Sequence, residues 1–187
     1  MSTKFFNNSP ENTLFDKFKG IAEGMPNFHS FLAVVGYFRS SGYFKLRKEL
    51  ANVQEIKILV GINIDSIFRK HNQALLMLEG DDEAREIYTK DFIQDVKDAQ
   101  YSPDVEEGIL QLCDDIVSGK LQMRIHKSKN LHAKFYLCLP QNFSPNTDGW
   151  VLMGSSNISD SGLGITQPPR YELNVAMKDY DDVAYCK

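Results

Sequence analysis

Two apolar runs separated by a helical stretch constrain this chain more than any other feature. "FHSFLAVVGYF" (28–38) is almost uninterrupted and rich in β-branched and aromatic residues, so it reads as a buried strand. "EIKILVGI" (55–62) reads the same way. Between them, "SSGYFKLRKELANV" has helical character, with Ser40 or Ser41 as the N-cap. Strand, helix and strand in this order predict a right-handed parallel βαβ unit, because parallel neighbours need a crossover connection. The expected class is therefore α/β, with a mixed, largely parallel β-sheet flanked by helices.

The flanking segments fit one domain over residues 1–187. "SPENTLFDKFKGIAEG" predicts a helix starting at Ser-Pro-Glu, with Leu14, Phe15, Phe18 and Ile21 on one face and Gly24 and Pro26 ending it. Residues 65–118 hold three helical patterns, and thirteen Asp and Glu fall between 79 and 115. A solvated helical layer accounts for that acid; a docking surface for a partner is the alternative. From 120 the chain turns to short strands: "KLQMRIHK", "HAKFYLCL", "GWVLMGS" and "YELNVAM". "PQNFSPNTDG" supplies a hairpin loop between the second and third.

The chemistry concentrates in this last part. In "NLHAKFYLCL" (130–139), strand alternation puts Leu131, Ala133, Phe135, Leu137 and Leu139 on one face. His132, Lys134 and Tyr136 share the other. Lysine is seldom buried without a partner, so an imidazole and an ammonium on such a face call for a reason. On a regular strand the two lie roughly 7 Å apart, close enough to touch one phosphate. "GSSNIS" (154–159) and Glu172 in "RYEL" follow just beyond strands. Each piece alone has an ordinary explanation: a chance His-x-Lys, a capped turn, a surface glutamate. Together they supply a nucleophile, cations and amides for nonbridging oxygens, and a carboxylate to fix an imidazole tautomer. Arg39, where "GYFRSSG" leads from a strand into a helix, adds charge at a place that favours anions, although a plain βα turn also explains it.

"HAKFYL" followed by "GSSN" resembles the phospholipase D superfamily signature H-x-K-x4-D-x6-G-S-x-x-N in its nuclease form. The match falls on His132, Lys134, Gly154, Ser155 and Asn157. Two departures stand out: Leu139 replaces the Asp, and the lysine-to-asparagine spacing is stretched to 23 residues. The missing Asp weakens a lipase reading more than a nuclease one. "AVVGYFRSSGYFKLRKEL" with "IKILVGI" resembles the phospholipase-D-like domains that precede DNA helicases in bacterial restriction and repair proteins. With it, the resemblance covers most of residues 28–177.

The resemblance implies a phospholipase-D-like fold and a metal-independent phosphodiesterase without a cofactor, an endonuclease acting on DNA, with RNA as the alternative substrate, fused to or associated with a helicase domain. It implies His132, Lys134, Asn157 and Glu172 as catalytic residues, with Glu172 orienting the imidazole. Ser155, Ser156, Arg39 and Lys129 are the expected substrate-binding groups. The superfamily uses two H-x-K motifs, and this chain has one, since His29, His71 and His126 are followed two residues later by Phe31, Gln73 and Ser128. A homodimer pairing two copies of His132 supplies the second. One histidine then forms a phosphohistidine while the other protonates the leaving oxygen.

A net charge of −4 argues against a broadly basic nucleic-acid binder but leaves room for a local patch. "KLQMRIHKSKNLHAK" is the densest basic stretch, and it is either a backbone-tracking surface or a solvated hairpin. The three cysteines show no zinc-ligand spacing and suit a reducing cytoplasm. No signal peptide or long apolar span is visible, so no membrane is expected. Two other functions stand beside the nuclease. One is a catalytically weak nucleic-acid-binding and dimerisation module. The other is a phospholipid phosphodiesterase, which the single motif and the lack of an amphipathic membrane segment disfavour.

Overall fold

The computed structural model describes residues 4–64, 103–126 and 131–187. The first two helical patterns of the acidic segment, and Lys127 and Lys129 of the basic stretch, lie outside the described residues.

The two apolar runs form the parallel centre. Strand β2 (Phe28–Phe38) pairs in parallel with β3 (Glu55–Ile64), from Ser30 opposite Glu55 to Phe38 opposite Ile64. Helix α2 (Ser40–Glu49) connects them, and β4 (Leu121–Ile125) adds in parallel to β3. Helix α3 (Pro103–Val117) precedes β4. Phe31, Ala33 and Val35 are buried on one face of β2, while Leu32 packs against a second cluster on the other. One face buried and the other half-buried is why this stretch reads as a continuous apolar run.

The remaining strands are β1 (Phe5–Phe6), β5 (Phe135–Pro140), β6 (Trp150–Gly154) and β7 (Asn174–Met177). Among the described residues they complete a seven-stranded sheet of order β1-β7-β6-β5-β2-β3-β4. The class is α/β with a mixed sheet, as expected, but the parallel share is smaller than expected. Only β2–β3 and β3–β4 are parallel; the other four pairings run antiparallel. The cause is connection length. The 141–149 loop reverses the chain within a few residues and permits only an antiparallel β5–β6 pair.

The helix starts also differ in detail. Helix α1 (Leu14–Gly24) begins at Thr13, not at Ser-Pro-Glu. Thr13 Oγ1 accepts from the Asp16 N–H at 3.0 Å, and the Asp16 carboxylate accepts from the Thr13 N–H at 3.0 Å. Glu11 has φ 62°, which excludes it from a right-handed helix. At α2 the capping position is Arg39, still extended, with no side-chain cap, and Ser40 is the buried first helical residue. The strand runs on to Phe38 because Phe38 bridges Ile158 and the Arg39 N–H donates to the Ile158 carbonyl at 2.8 Å.

Two further helices, α4 (Asp160–Leu163) and α5 (Tyr180–Cys186), lie in the C-terminal part. Buried Asn8 ties the N-terminal turn to α4: it accepts from the Leu14 N–H and donates to the Gly162 carbonyl, both at 2.9 Å. Helices α1 and α2 cover the main core, where Phe18 meets Phe31 and Tyr136 edge-on at 5.4 and 5.2 Å. On the opposite face, Leu137, Leu139 and Val151 pack beneath Val183 of α5. Leu139 therefore belongs to the second core. It stands five residues along the chain from Lys134, roughly 17 Å on an extended strand, so leucine there leaves the His132 region untouched.

Helices α2 and α3 are joined through one buried carboxylate. Asp115, 4% exposed, accepts from Tyr43 Oη and from Arg47 Nη2, each at 2.9 Å, and Arg47 Nε also contacts it. Asp115→Ala strands a half-buried guanidinium and a buried hydroxyl. It is expected to cost about 3 kcal/mol of stability, measured by urea unfolding. Tyr43 and Tyr136 are both held well above the ordinary phenol range, chiefly by burial. The folded chain keeps these protons while the unfolded chain loses them above about pH 10, so alkali favours unfolding. Absorbance titration of the eight tyrosines should show two that ionise only as the chain unfolds.

Candidate active site

One end of the sheet gathers the chemistry. The end of β2, the start of β5, the end of β6 and the start of β7 meet there, since Val34 pairs with Phe135, Phe135 with Met153, and Gly154 with Asn174. Strand β5 begins at Phe135, so His132 and Lys134 precede it and do not stand on a regular strand as the alternation suggested. The ladder reaches Lys134 through its carbonyl, which accepts from the Gly154 N–H at 3.2 Å.

This irregular start changes their separation. Lys134 is 6% exposed and its ammonium folds back onto His132, 2.8 Å from the carbonyl oxygen and 3.0 Å from Nδ1. His132 itself is exposed. Gly36 lets segment 131–134 lie against β2. A Cβ there would stand 3.2 Å from the Leu131 oxygen, 3.3 Å from the His132 Cα and 3.5 Å from Lys134 Nζ. Burial lowers the Lys134 pKa, and the charge of Glu172 opposes that shift.

The 154–157 turn supplies the facing wall. Ser155 is exposed; its Oγ contacts the Glu172 carboxylate and accepts from the Leu173 N–H at 3.0 Å. Glu172 Oε1 also lies 3.6 Å from Arg170 Nε. Among the described residues, the carboxylate of Glu172 contacts Ser155 and Arg170, not His132. Asn157 Oδ1 accepts from the Tyr37 N–H at 3.0 Å, which pins the turn to the end of β2. Arg39 contacts Tyr37 Oη and places its guanidinium 4.7 Å from the Tyr37 ring centroid. The structure thus brings His132 to Lys134 and Ser155 to Glu172, and it anchors Asn157 and Arg39 on Tyr37. Lys129 lies outside the described residues.

Ser156, expected among the substrate-binding groups, is fully buried and shapes the turn from inside. Asn174 Nδ2 donates to Ser156 Oγ at 2.9 Å, the Ser156 N–H donates to Asn174 Oδ1 at 3.4 Å, and Tyr136 Oη donates to the Ser156 carbonyl at 2.7 Å. Gly154 makes room for this clamp: a Cβ there would come 2.3 Å from the Leu173 oxygen and 2.4 Å from Asn174 Oδ1. Sequence reading missed Asn174, Tyr136, Tyr37 and Gly36 as parts of the site. The available signal was a polar residue on the inward face of "YELNVAM", where alternation calls for an apolar one.

Among the described residues, no group of three or more His, Cys, Asp or Glu side chains is placed to hold a metal ion. No described helix is long and apolar enough to cross a membrane.

No family model matches the chain, and no curated protein matches it. Among solved structures, yeast tyrosyl-DNA phosphodiesterase is similar with a TM-score of 0.45 and 13% identity, over 92% of this chain and 30% of that one. Phosphatidylserine synthase of Haemophilus influenzae is similar with a TM-score of 0.48 and 15% identity, over 97% of this chain and 35% of that one. The chain spans about a third of the length of each.

Asn174→Ala leaves a buried N–H and hydroxyl of Ser156 without their partner, at an expected cost of about 2 kcal/mol. A double-mutant cycle with Ser156→Ala, followed by thermal unfolding, should show the two effects to be non-additive.

Proposed function

We propose that this chain is a phosphodiesterase of the phospholipase D type that cleaves DNA without a metal, as a homodimer serving a helicase-type protein. The observation that carries the reading is the pairing of a buried ammonium with an exposed imidazole, Lys134 on His132, at the sheet end that also holds Ser155 and Glu172. An ammonium largely removed from water acts strongly on a phosphate oxygen, and the imidazole beside it is open to a substrate. The resemblance of "AVVGYFRSSGYFKLRKEL" to domains that precede helicases supports the assignment to DNA.

The chemistry runs in two balanced steps. Nε2 of one His132 attacks phosphorus, the P–N bond forms, and the bond to the leaving oxygen breaks as His132 of the second copy delivers its proton there. Water then attacks phosphorus, gives its proton to that second imidazole, and the P–N bond breaks. Lys134 compensates charge on the nonbridging oxygens throughout. Each copy contributes one histidine, so a monomer has half a site.

A second reading, a nucleic-acid-binding module with little catalysis, is favoured by one observation: Glu172 is engaged by Ser155 and not by His132. Plasmid cleavage in EDTA separates the two. The wild-type chain is expected to nick DNA, and His132→Ala to lower the rate by about a thousandfold or more. Binding without cleavage establishes the second reading. A sedimentation mass equal to one chain at micromolar concentration removes the two-histidine mechanism.

A further inference from the structure

A histidine that attacks phosphorus through Nε2 must keep that nitrogen free of a proton, so the tautomer of His132 decides whether the site is armed. The ring is exposed, yet one nitrogen already has a fixed partner: Lys134 Nζ stands 3.0 Å from Nδ1. An ammonium only donates hydrogen bonds. Nδ1 is therefore the acceptor, and the proton of the neutral ring sits on Nε2. The same ammonium donates to the His132 carbonyl at 2.8 Å, so backbone and ring are gripped by one side chain. Glu172, the carboxylate that the resemblance assigns to this task, is spent on Ser155 and Arg170. Gly36 helps to seat the backbone that carries this grip, because a Cβ there would crowd the Leu131 oxygen at 3.2 Å and the His132 Cα at 3.3 Å.

We infer that Lys134 is the positioning residue that locks His132 in its Nε2–H tautomer, and that an incoming phosphate releases the lock by drawing the ammonium from Nδ1. An anionic phosphate oxygen accepts a stronger hydrogen bond from an ammonium than a neutral imidazole does. Among the described residues two of the three ammonium protons have partners, and the third is the first contact for the anion. Once Lys134 has moved, Nδ1 takes a proton from solvent and Nε2 gives one up, with no net change in charge. The resting chain is thus protected from reaction with adventitious electrophiles at Nε2. The catalytic consequence rests on the phosphodiesterase reading; the tautomer itself does not.

Nitrogen NMR of the full chain labelled with 15N-histidine reads the tautomer without turnover, and His132→Ala assigns the signals. The free wild-type chain should show Nδ1 at the full pyridine-type position and Nε2 at the full pyrrole-type position. In Lys134→Met both should move inward, toward the average of a freely exchanging ring, and circular dichroism checks that the variant is folded. Inorganic phosphate added to the wild type should likewise move Nδ1 off its pyridine-type position. A resting Nδ1–H ring, or identical spectra for wild type and Lys134→Met, overturns the lock. Phosphate that binds by calorimetry without moving Nδ1 overturns the release step. The wild-type measurement needs no variant to fold. A chain that shows the lock but cleaves no phosphodiester refutes the proposed function alone; one that cleaves with a resting Nδ1–H ring refutes the lock alone.

Discussion

The antiparallel docking of β5 against β2 holds the molecule together and makes its site. Strand β2 has β3 on one side, in parallel, and β5 on the other, in antiparallel register. It is the seam between a half of parallel strands, joined by a crossover helix, and a half of antiparallel strands. Because β5 runs opposite to β2, the start of β5 arrives where β2 ends. Segment 131–134 then lies on Gly36, while Asn157 reaches the Tyr37 N–H and the Ile158 carbonyl reaches the Arg39 N–H. A parallel β5 would have carried His132 to the far end of the sheet.

The turn after β6 divides its polar groups by burial. Ser156 points inward, and its N–H, carbonyl and hydroxyl are all satisfied by Asn174 and Tyr136. Its neighbours on either side look elsewhere: Ser155 to Glu172 in the open, and Asn157 to the backbone of β2. A buried polar network that is fully paired is rigid, and a rigid anchor fixes the direction of the exposed groups beside it. The clamp thus converts the packing of β6 on β7 into the placement of Ser155.

The elements were legible where one physical signal dominated. One face of β2 is buried and the other half-buried, so its run is continuous, and its span from Phe28 to Phe38 follows directly from the apolar pattern. The helix starts were less legible because competing caps lie within a few residues. Thr13, not Ser9, starts α1, since the positive φ of Glu11 is a property of the turn that its residue type does not announce. The sheet's antiparallel majority was hidden for a different reason: strand direction depends on which strands become neighbours, and β2 pairs with β5 across roughly a hundred residues of chain. At the site, His132 and Lys134 stood out because a polar pair interrupts an apolar run. What no pattern conveyed was their contact. Alternation assumes a regular strand, and the backbone leaves that geometry just before Phe135.

That departure explains how the chain tolerates a lysine in a nearly closed position. Burial works against the charged form of Lys134, and the cost must be met locally. The negative charge of Glu172 meets part of it at a distance, and the His132 carbonyl and ring nitrogen meet more by direct hydrogen bonds. None of these partners neutralises the cation as a contacting carboxylate would. Among the described residues the ammonium is a charge with two neutral acceptors, beside an exposed ring. A salt bridge in its place would have been satisfied and inert. A lysine held by a carbonyl and an imidazole has its hydrogen bonds met while its positive charge is left uncancelled by either partner.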